Sequence, residues 1–222
     1  ADEGEQDVIG IFIYDPILYK LIVFEEDNED LDQLNEEVGN PTAEAFERVV
    51  TSLEEGYDSV AFGSGMAAIF ASTATFLNNG DHMLADNTLY GGSVSLFTSR
   101  YARFGFEVQT IDTSDINEVR KAIKKSTKMI VFESPANPTM KVIDIRAISN
   151  LAHEHGMLVI VDNTFSSPYN QQPLKHGADI VAHSLTKYMN GHGDVVGGVV
   201  VTSNKEQSEQ LRIFRRETGG IM

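Results

Sequence analysis

The stretch VIVDNTFSSPYNQQP (residues 159–173), followed by ADIVAHSLTKYMNGHGDVVGGVVV (178–201), decides how this chain folds. Its two apolar runs, Leu158–Val161 and Ile180–Ala182, read as buried strands of a parallel sheet. Each run ends in polar residues that a core does not call for. Asp162 and Asn163 follow the first; His183, Ser184, Thr186 and Lys187 follow the second. Open α/β sheets bind ligands at the carboxyl ends of their strands. A lysine flanked by Ser and Thr, with an aspartate one strand away, suits an aldehyde cofactor that carries a phosphate and a basic ring nitrogen. Pyridoxal phosphate (PLP) has that chemistry.

Working outward, strands and helices alternate from Ser59 onward. Ser59–Phe62, His82–Ala85, Phe106–Ile111 and Met129–Phe132 read as strands, and the β-branched run Asp194–Thr202 as a further one, antiparallel or at the sheet edge. Helices are expected over Met66–Leu77, from Gly91 towards Tyr101, from Asp115 through Ile123, over Ile145–His155 and over Glu206–Arg216. Asp115 with Glu118 three residues on forms a capping-box pattern. Pro41 and Thr42 open an earlier helix whose apolar face is read as Ala43, Phe46, Val49, Val50 and Leu53. This alternation predicts an α/β fold with a mostly parallel sheet and helices on both faces.

Composition narrows the chemistry. The chain has 222 residues, a net charge of −16 and no cysteine, which excludes disulfides, thiolate metal sites and a cysteine nucleophile. Residues 1–37 hold thirteen acids and one lysine, so most of the negative charge sits in the head of the chain. That acidity argues against a nucleic-acid partner. No apolar run reaches eighteen residues, so no membrane partner and a cytoplasmic location are expected. Residues 1–38 read as an acidic arm and 39–222 as a cofactor-binding domain. The final RRETGGIM reads as an interior stretch of a longer protein.

Each candidate residue answers one need of the cofactor. Lys187 can hold an aldehyde as an imine. Asp162 can keep a ring nitrogen protonated. Gly63, Ser64, Gly65 and Met66 turn from a strand into a helix, where backbone N–H groups favour a phosphate, and Ser184 and Thr186 add hydroxyls. Tyr90 offers an aromatic face. Asn137, set between two prolines, can reach a ring hydroxyl. A metal is not supported: His153 and His155 lie two apart on a helix, and His192 with Asp194 lacks a third ligand. A serine hydrolase is disfavoured because no GxSxG elbow occurs.

Seven ordered blocks carry a resemblance: GNPT (39–42), SGMAA (64–68), LYGGS (89–93), ESPANPT (133–139), VDNTFSSP (161–168), HSLTKY (183–188) and GHGD (191–194). Over residues 39–222 the chain resembles the cystathionine γ-lyase, methionine γ-lyase and O-acetylhomoserine sulfhydrylase group of PLP enzymes. The resemblance implies the large domain of an aspartate-aminotransferase-like PLP-dependent transferase. It implies that Lys187 binds the cofactor covalently and shuttles protons, and that Asp162 pairs with the ring nitrogen. Tyr90 is implied to stack on the ring and to help activate substrate. Gly65, Met66, Ser184 and Thr186 are implied to hold phosphate, and Asn137 to contact the ring hydroxyl.

The implied reaction is γ-elimination from a small sulfur amino acid such as methionine, homocysteine or cystathionine. Its products are a 2-keto acid, ammonia and a thiol. The alternatives are γ-replacement of the sulfhydrylase or cystathionine γ-synthase type, or a truncated or diverged homologue without turnover. A homotetramer assembled from dimers that share active sites is also implied. Three departures stand out. Asn35 and Glu37 occupy the places of a Tyr-x-Arg pair that completes the neighbouring subunit's phosphate site. The smaller C-terminal domain, with its carboxylate-clamping arginine, is absent from this chain. Gly92 stands where methionine γ-lyases usually carry Cys.

Overall fold

A computed structural model describes residues 41–222. The acidic arm expected over residues 1–38, and with it Asn35 and Glu37, lies outside the described residues. The sheet belongs to the compact unit Glu47–Met222. Its strands are β1 (Asp58–Phe62), β2 (His82–Asp86), β3 (Glu107–Ile111), β4 (Thr127–Glu133), β5 (Leu158–Asp162), β6 (Ile180–Ser184) and β7 (Gly198–Thr202), in the spatial order β1-β7-β6-β5-β4-β2-β3. β7 runs antiparallel to both of its neighbours, so β1 to β6 all point one way. Their carboxyl ends therefore line one rim, together with the start of β7.

The helices are α1 (Pro41–Glu54), α2 (Gly65–Ala74), α3 (Gly91–Ser95), α4 (Ile116–Ala122), α5 (Ile145–Glu154), the short α6 (Ser167–Asn170) and α7 (Lys205–Thr218). α2 packs on β6 and β7 with α7 and α3 beside it, while α5 packs on β5 with α4 beside it. Consecutive residues of β5 (Val159, Ile160, Val161) are all fully buried, as are Met129–Phe132 of β4 and Ile180–Ala182 of β6. A strand buried on alternate sides has both faces covered, as the apolar runs predict. Each such side chain contributes about 1.5–3 kcal/mol by leaving water. Among the described residues no helix is long and apolar enough to cross a membrane.

Four local expectations need correction. The run Asp194–Thr202 becomes a strand only from Gly198, because Val195 and Val196 lie exposed in a polar turn, and β7 is interior rather than at the edge. The helix from Gly91 is α-helical only to Ser95. A π turn (Leu96–Arg100) and a 3-10 turn (Tyr101–Phe104) follow it, with Phe97 and Tyr101 both in the core and their rings 5.2 Å apart. Asp115 does cap α4, accepting from Asn117 N and Glu118 N. Glu118 does not close the box, since its Oε1 accepts from Asp112 N instead.

The fourth correction concerns α1. Its buried residues are Glu47, Val50 and Glu54, while Leu53 is exposed. The acids are drawn inward by partners. Arg212 and Arg215 of α7 donate to Glu47 at 3.1 and 2.7 Å, and Ala61 N donates to it at 2.7 Å. Burying a carboxylate unpaired is expensive, so the fold supplies charge-assisted donors where the acid goes in.

Candidate active site

The rim reads in order across the sheet. β1 ends at Phe62 and turns through Gly63 and Ser64 into α2. Ser64 is extended (φ −163°, ψ 160°) and caps that helix, its Oγ accepting from Ala67 N at 3.1 Å. Gly65 and Met66 thus head the helix, where N–H groups have no intrahelical acceptor. A Cβ at Gly65 would lie 2.6 Å from Ser184 Cβ and 2.8 Å from Ser184 Oγ. Glycine is what lets this helix start come down on the end of β6. Gly198, opposite Ser184 in the β6–β7 ladder, likewise leaves room for the carbonyl of Ser64.

The turn after β6 carries Leu185, Thr186 and Lys187. Leu185 N donates to Gly197 O at 2.9 Å, and Gly197 N donates to Thr186 Oγ1 at 3.3 Å. Lys187 is exposed, and its N–H closes the turn on Ser184 O at 3.3 Å. One strand over, Asp162 ends β5 and is buried. Its Oδ1 accepts from Thr164 N at 3.0 Å, and Thr164 Oγ1 in turn accepts from Ser184 N at 2.8 Å. Burial raises the Asp162 pKa, and it does so against the bonds from Thr164 and the nearby His183, which favour the anion.

The next strand ends in Glu133, in register with Asp162 and 5% exposed. It precedes the loop that presents Asn137, which is exposed and donates its N–H to Glu133 Oε1 at 3.3 Å. Burial first, and then the charge of Asp162, push Glu133 up to about 7. Its Oε2 is buried with no hydrogen-bond partner among the described residues. Tyr90 rises from the loop after β2 with its ring 61% exposed. A Cβ at Gly92 would lie 2.5 Å from Tyr90 Cε1 and 3.1 Å from Met66 Sδ. The ring therefore lies over Gly92, with Met66 alongside.

The fold thus brings Gly65 against Ser184, gathers Met66 and Tyr90 at Gly92, and puts Asp162 between the strands that carry those groups. Lys187 and Asn137 stand on the same rim with exposed side chains. Sequence reasoning missed Glu133, although it ends a buried apolar run just as Asp162 does. It also missed two buried anchors under the rim. Glu54 pairs with His183, and Asp86 accepts from Thr88 N at 2.7 Å, Thr113 N at 3.0 Å and Lys141 Nζ at 2.7 Å.

The sequence profile of the Cys/Met metabolism PLP-dependent enzymes matches residues 23–222. The chain belongs to this family. It is 50% identical over 188 residues to the L-methionine gamma-lyase of Fusobacterium nucleatum subsp. polymorphum, an alignment covering 83% of this chain and 47% of that protein. It is 49% identical over 183 residues to the cystathionine gamma-lyase of Bacillus subtilis (strain 168), covering 82% and 48%. The crystal structure of cystathionine gamma-lyase from Lactobacillus plantarum complexed with L-serine superposes with a TM-score of 0.81 at 42% identity, covering 83% of this chain and 48% of that one. The family member described here thus has a PLP-dependent-transferase-like fold, and it spans about half the length of the curated relatives it matches.

Proposed function

We propose that this chain is the cofactor-binding portion of a PLP-dependent carbon–sulfur lyase. It acts by γ-elimination on methionine, homocysteine or cystathionine and releases a 2-keto acid, ammonia and a thiol. The observation that carries this reading is the order of groups along the rim. Helix-start N–H groups and Ser184 meet at β6, an acid follows at β5, and the Asn137 loop leaves β4. With strands about 4.8 Å apart, β6 to β4 spans about 10 Å, a length that suits a phosphorylated ring lying across the three ends.

In this reading the N–H groups of Gly65 and Met66 bind the phosphate together with the hydroxyls of Ser184 and Thr186. Tyr90 offers its face to the ring, and the Asn137 side chain donates to the ring hydroxyl. Asp162 holds a proton at the ring nitrogen. Its burial strengthens that contact, because little water competes for it. Lys187 would hold the aldehyde carbon, and its amine would take the substrate α-proton and return a proton at the neighbouring carbons. When bound, the cofactor supplies an electron sink for the charge that develops at the substrate α-carbon. Gly92, standing where the resembled methionine γ-lyases usually carry Cys, weighs against a strict methionine lyase and leaves cystathionine cleavage and γ-replacement on a homoserine ester both open. We further infer a cytoplasmic homotetramer built from dimers, which sedimentation with and without cofactor tests directly.

The decisive experiment has two stages. Borohydride reduction in the presence of pyridoxal phosphate, followed by peptide mapping, is expected to leave the phosphopyridoxyl mass on Lys187. A label on another lysine overturns the assignment. Methionine and cystathionine are then expected to yield 2-keto acid, and K187A to yield none. Product only from O-acetylhomoserine plus a thiol selects γ-replacement. A labelled Lys187 with no product from either substrate class selects a homologue that keeps the cofactor without turnover.

A further inference from the structure

Glu133 is a buried acid at the rim to which the proposed reaction gives no task. It ends β4 in register with Asp162 at the end of β5. Paired residues of adjacent strands project from the same face of a sheet, so two carboxyl groups are placed side by side where water is excluded. Both are buried, Glu133 at 5% and Asp162 at 8% exposure. Glu133 Oε1 takes the Asn137 N–H at 3.3 Å, and the Tyr90 N–H also faces this carboxyl. Its Oε2 has no partner among the described residues. Glu133 therefore links the backbones of two loops whose side chains are assigned to the ring, and it adjoins the acid assigned to the ring nitrogen.

Two close carboxyls out of water cannot both ionise cheaply, so one retains a proton. The surrounding charges decide which. Burial raises both carboxyls, but Asp162 has His183 on β6 and the Thr164 bonds on its side. Glu133 faces Asp162 on β5 and, more distantly, Asp86 on β2, whose own cation is Lys141. No cation on these elements offsets the charge of Glu133 directly. Its two backbone donors favour the anion, but burial and Asp162 outweigh them.

We propose that Glu133 is a positioning residue that works in its protonated form, pinning the Tyr90 and Asn137 loops to one another and leaving Asp162 as the anion of the Glu133–Asp162 pair. The part of this that concerns the cofactor rests on the proposed PLP reading; the part that concerns the proton does not.

The test uses E133Q, which keeps the acceptor oxygen and is permanently neutral, and E133A, which removes the pin. Urea denaturation without cofactor is run from pH 4.5 to 8.5. A carboxyl whose folded pKa is raised stabilises fully below its unfolded value and loses that contribution as pH rises to the folded value. The unfolding equilibrium constant of wild type relative to E133Q should therefore grow with pH, by up to about a hundredfold near pH 7, and then level off. A flat ratio overturns the proposal. If E133Q does not fold, infrared titration of the wild type with 13C-labelled glutamate decides. A protonated glutamate band that persists at pH 6 supports the proposal, and its absence overturns it. Equilibrium dialysis with pyridoxal phosphate at pH 6 should give E133Q a Kd within threefold of wild type and E133A a Kd at least tenfold weaker. A larger loss in E133Q, or no loss in E133A, overturns the positioning role. Should wild type bind no pyridoxal phosphate, the cofactor reading fails while the denaturation result still decides where the proton sits.

Discussion

Glu54 Oε1 lies 2.6 Å from His183 Nε2, and both side chains are fully withdrawn from solvent. The same oxygen accepts from Asn163 Nδ2 at 2.8 Å. One atom of α1 thus ties the end of β6, just before Ser184, to the end of β5, just after Asp162. Asn163 also exchanges bonds with Gln171, whose Nε2 donates to Ser134 O at 2.7 Å, which carries the link on to the end of β4. The rim is therefore held from beneath by a polar network whose members are 109 or more residues from Glu54 in the chain, or reached through Asn163.

Replacing Glu54 by Ala should be strongly destabilising, by about 3–5 kcal/mol, because His183 and Asn163 are left buried with a bond missing. Glu54→Leu combined with His183→Leu should cost less than the two single changes summed, since each removes the group that the other leaves stranded. Urea denaturation of the three variants measures this. Full additivity would show that the pair does not interact.

Gly65 makes a second prediction. Gly65→Ala puts a Cβ 2.6 Å from Ser184 Cβ and 3.0 Å from its Cα, and backbone cannot swing aside as a side chain can. The start of α2 must lift off β6, at a cost of about 1–3 kcal/mol. Adding Ser184→Gly should recover part of that loss, because it removes the nearer atoms. Thermal melts of the single and double variants report the recovery; none would place the strain elsewhere.

Gly92→Ala separates stability from binding. The new Cβ meets Tyr90 Cε1 at 2.5 Å, but the ring is 61% exposed and free to move away. Folding stability should change by no more than about 0.5 kcal/mol. Pyridoxal phosphate affinity should fall severalfold, since the displaced ring no longer lies beside Met66. Melts and equilibrium dialysis on the same preparations check both halves, and unchanged affinity would remove Tyr90 from the cofactor site.

Asp86 sets an acid limit. Burial works against its charge, yet Lys141, Thr113 and Thr88 together hold its pKa below the usual aspartate value. An acid with a depressed folded pKa contributes stability above its unfolded value and loses it as pH falls through the folded one. Asp112, which also bonds Lys141, is held down to about 2, chiefly by Ser114. Stability should therefore decline below about pH 4 as Asp86 is protonated. Lys141→Met should cost about 3–5 kcal/mol at pH 7 by leaving Asp86 buried without its cation, and distinctly less at pH 2–3. Denaturation midpoints at the two pH values test the sign; a penalty that does not shrink in acid would contradict it.

The strands were legible because their signals are local. An apolar run of three or four residues closed by a polar one marks β4, β5 and β6, and the same boundary identified Asp162 and the Ser184–Lys187 turn as candidates. The cap at Asp115 and the proline-rich loop after Glu133 are also written in adjacent residues. So is the resemblance carried by the seven blocks, and it reached the family. Tertiary structure alone decided the remainder. The spatial order of the strands, with β7 reversed between β1 and β6, depends on pairings across the whole chain. The inward face of α1 went to Glu47 and Glu54 because Arg212, Arg215 and His183 wait there, 129 or more residues away. The spacing of 47, 50 and 54 does mark one helical face, but hydrophobicity ranks acids last for burial. A buried charge becomes tolerable only when its partner is in place, and that partner is absent from any local window of sequence. The proton on Glu133 has the same origin, because Asp162 adjoins it only after β4 and β5 have paired.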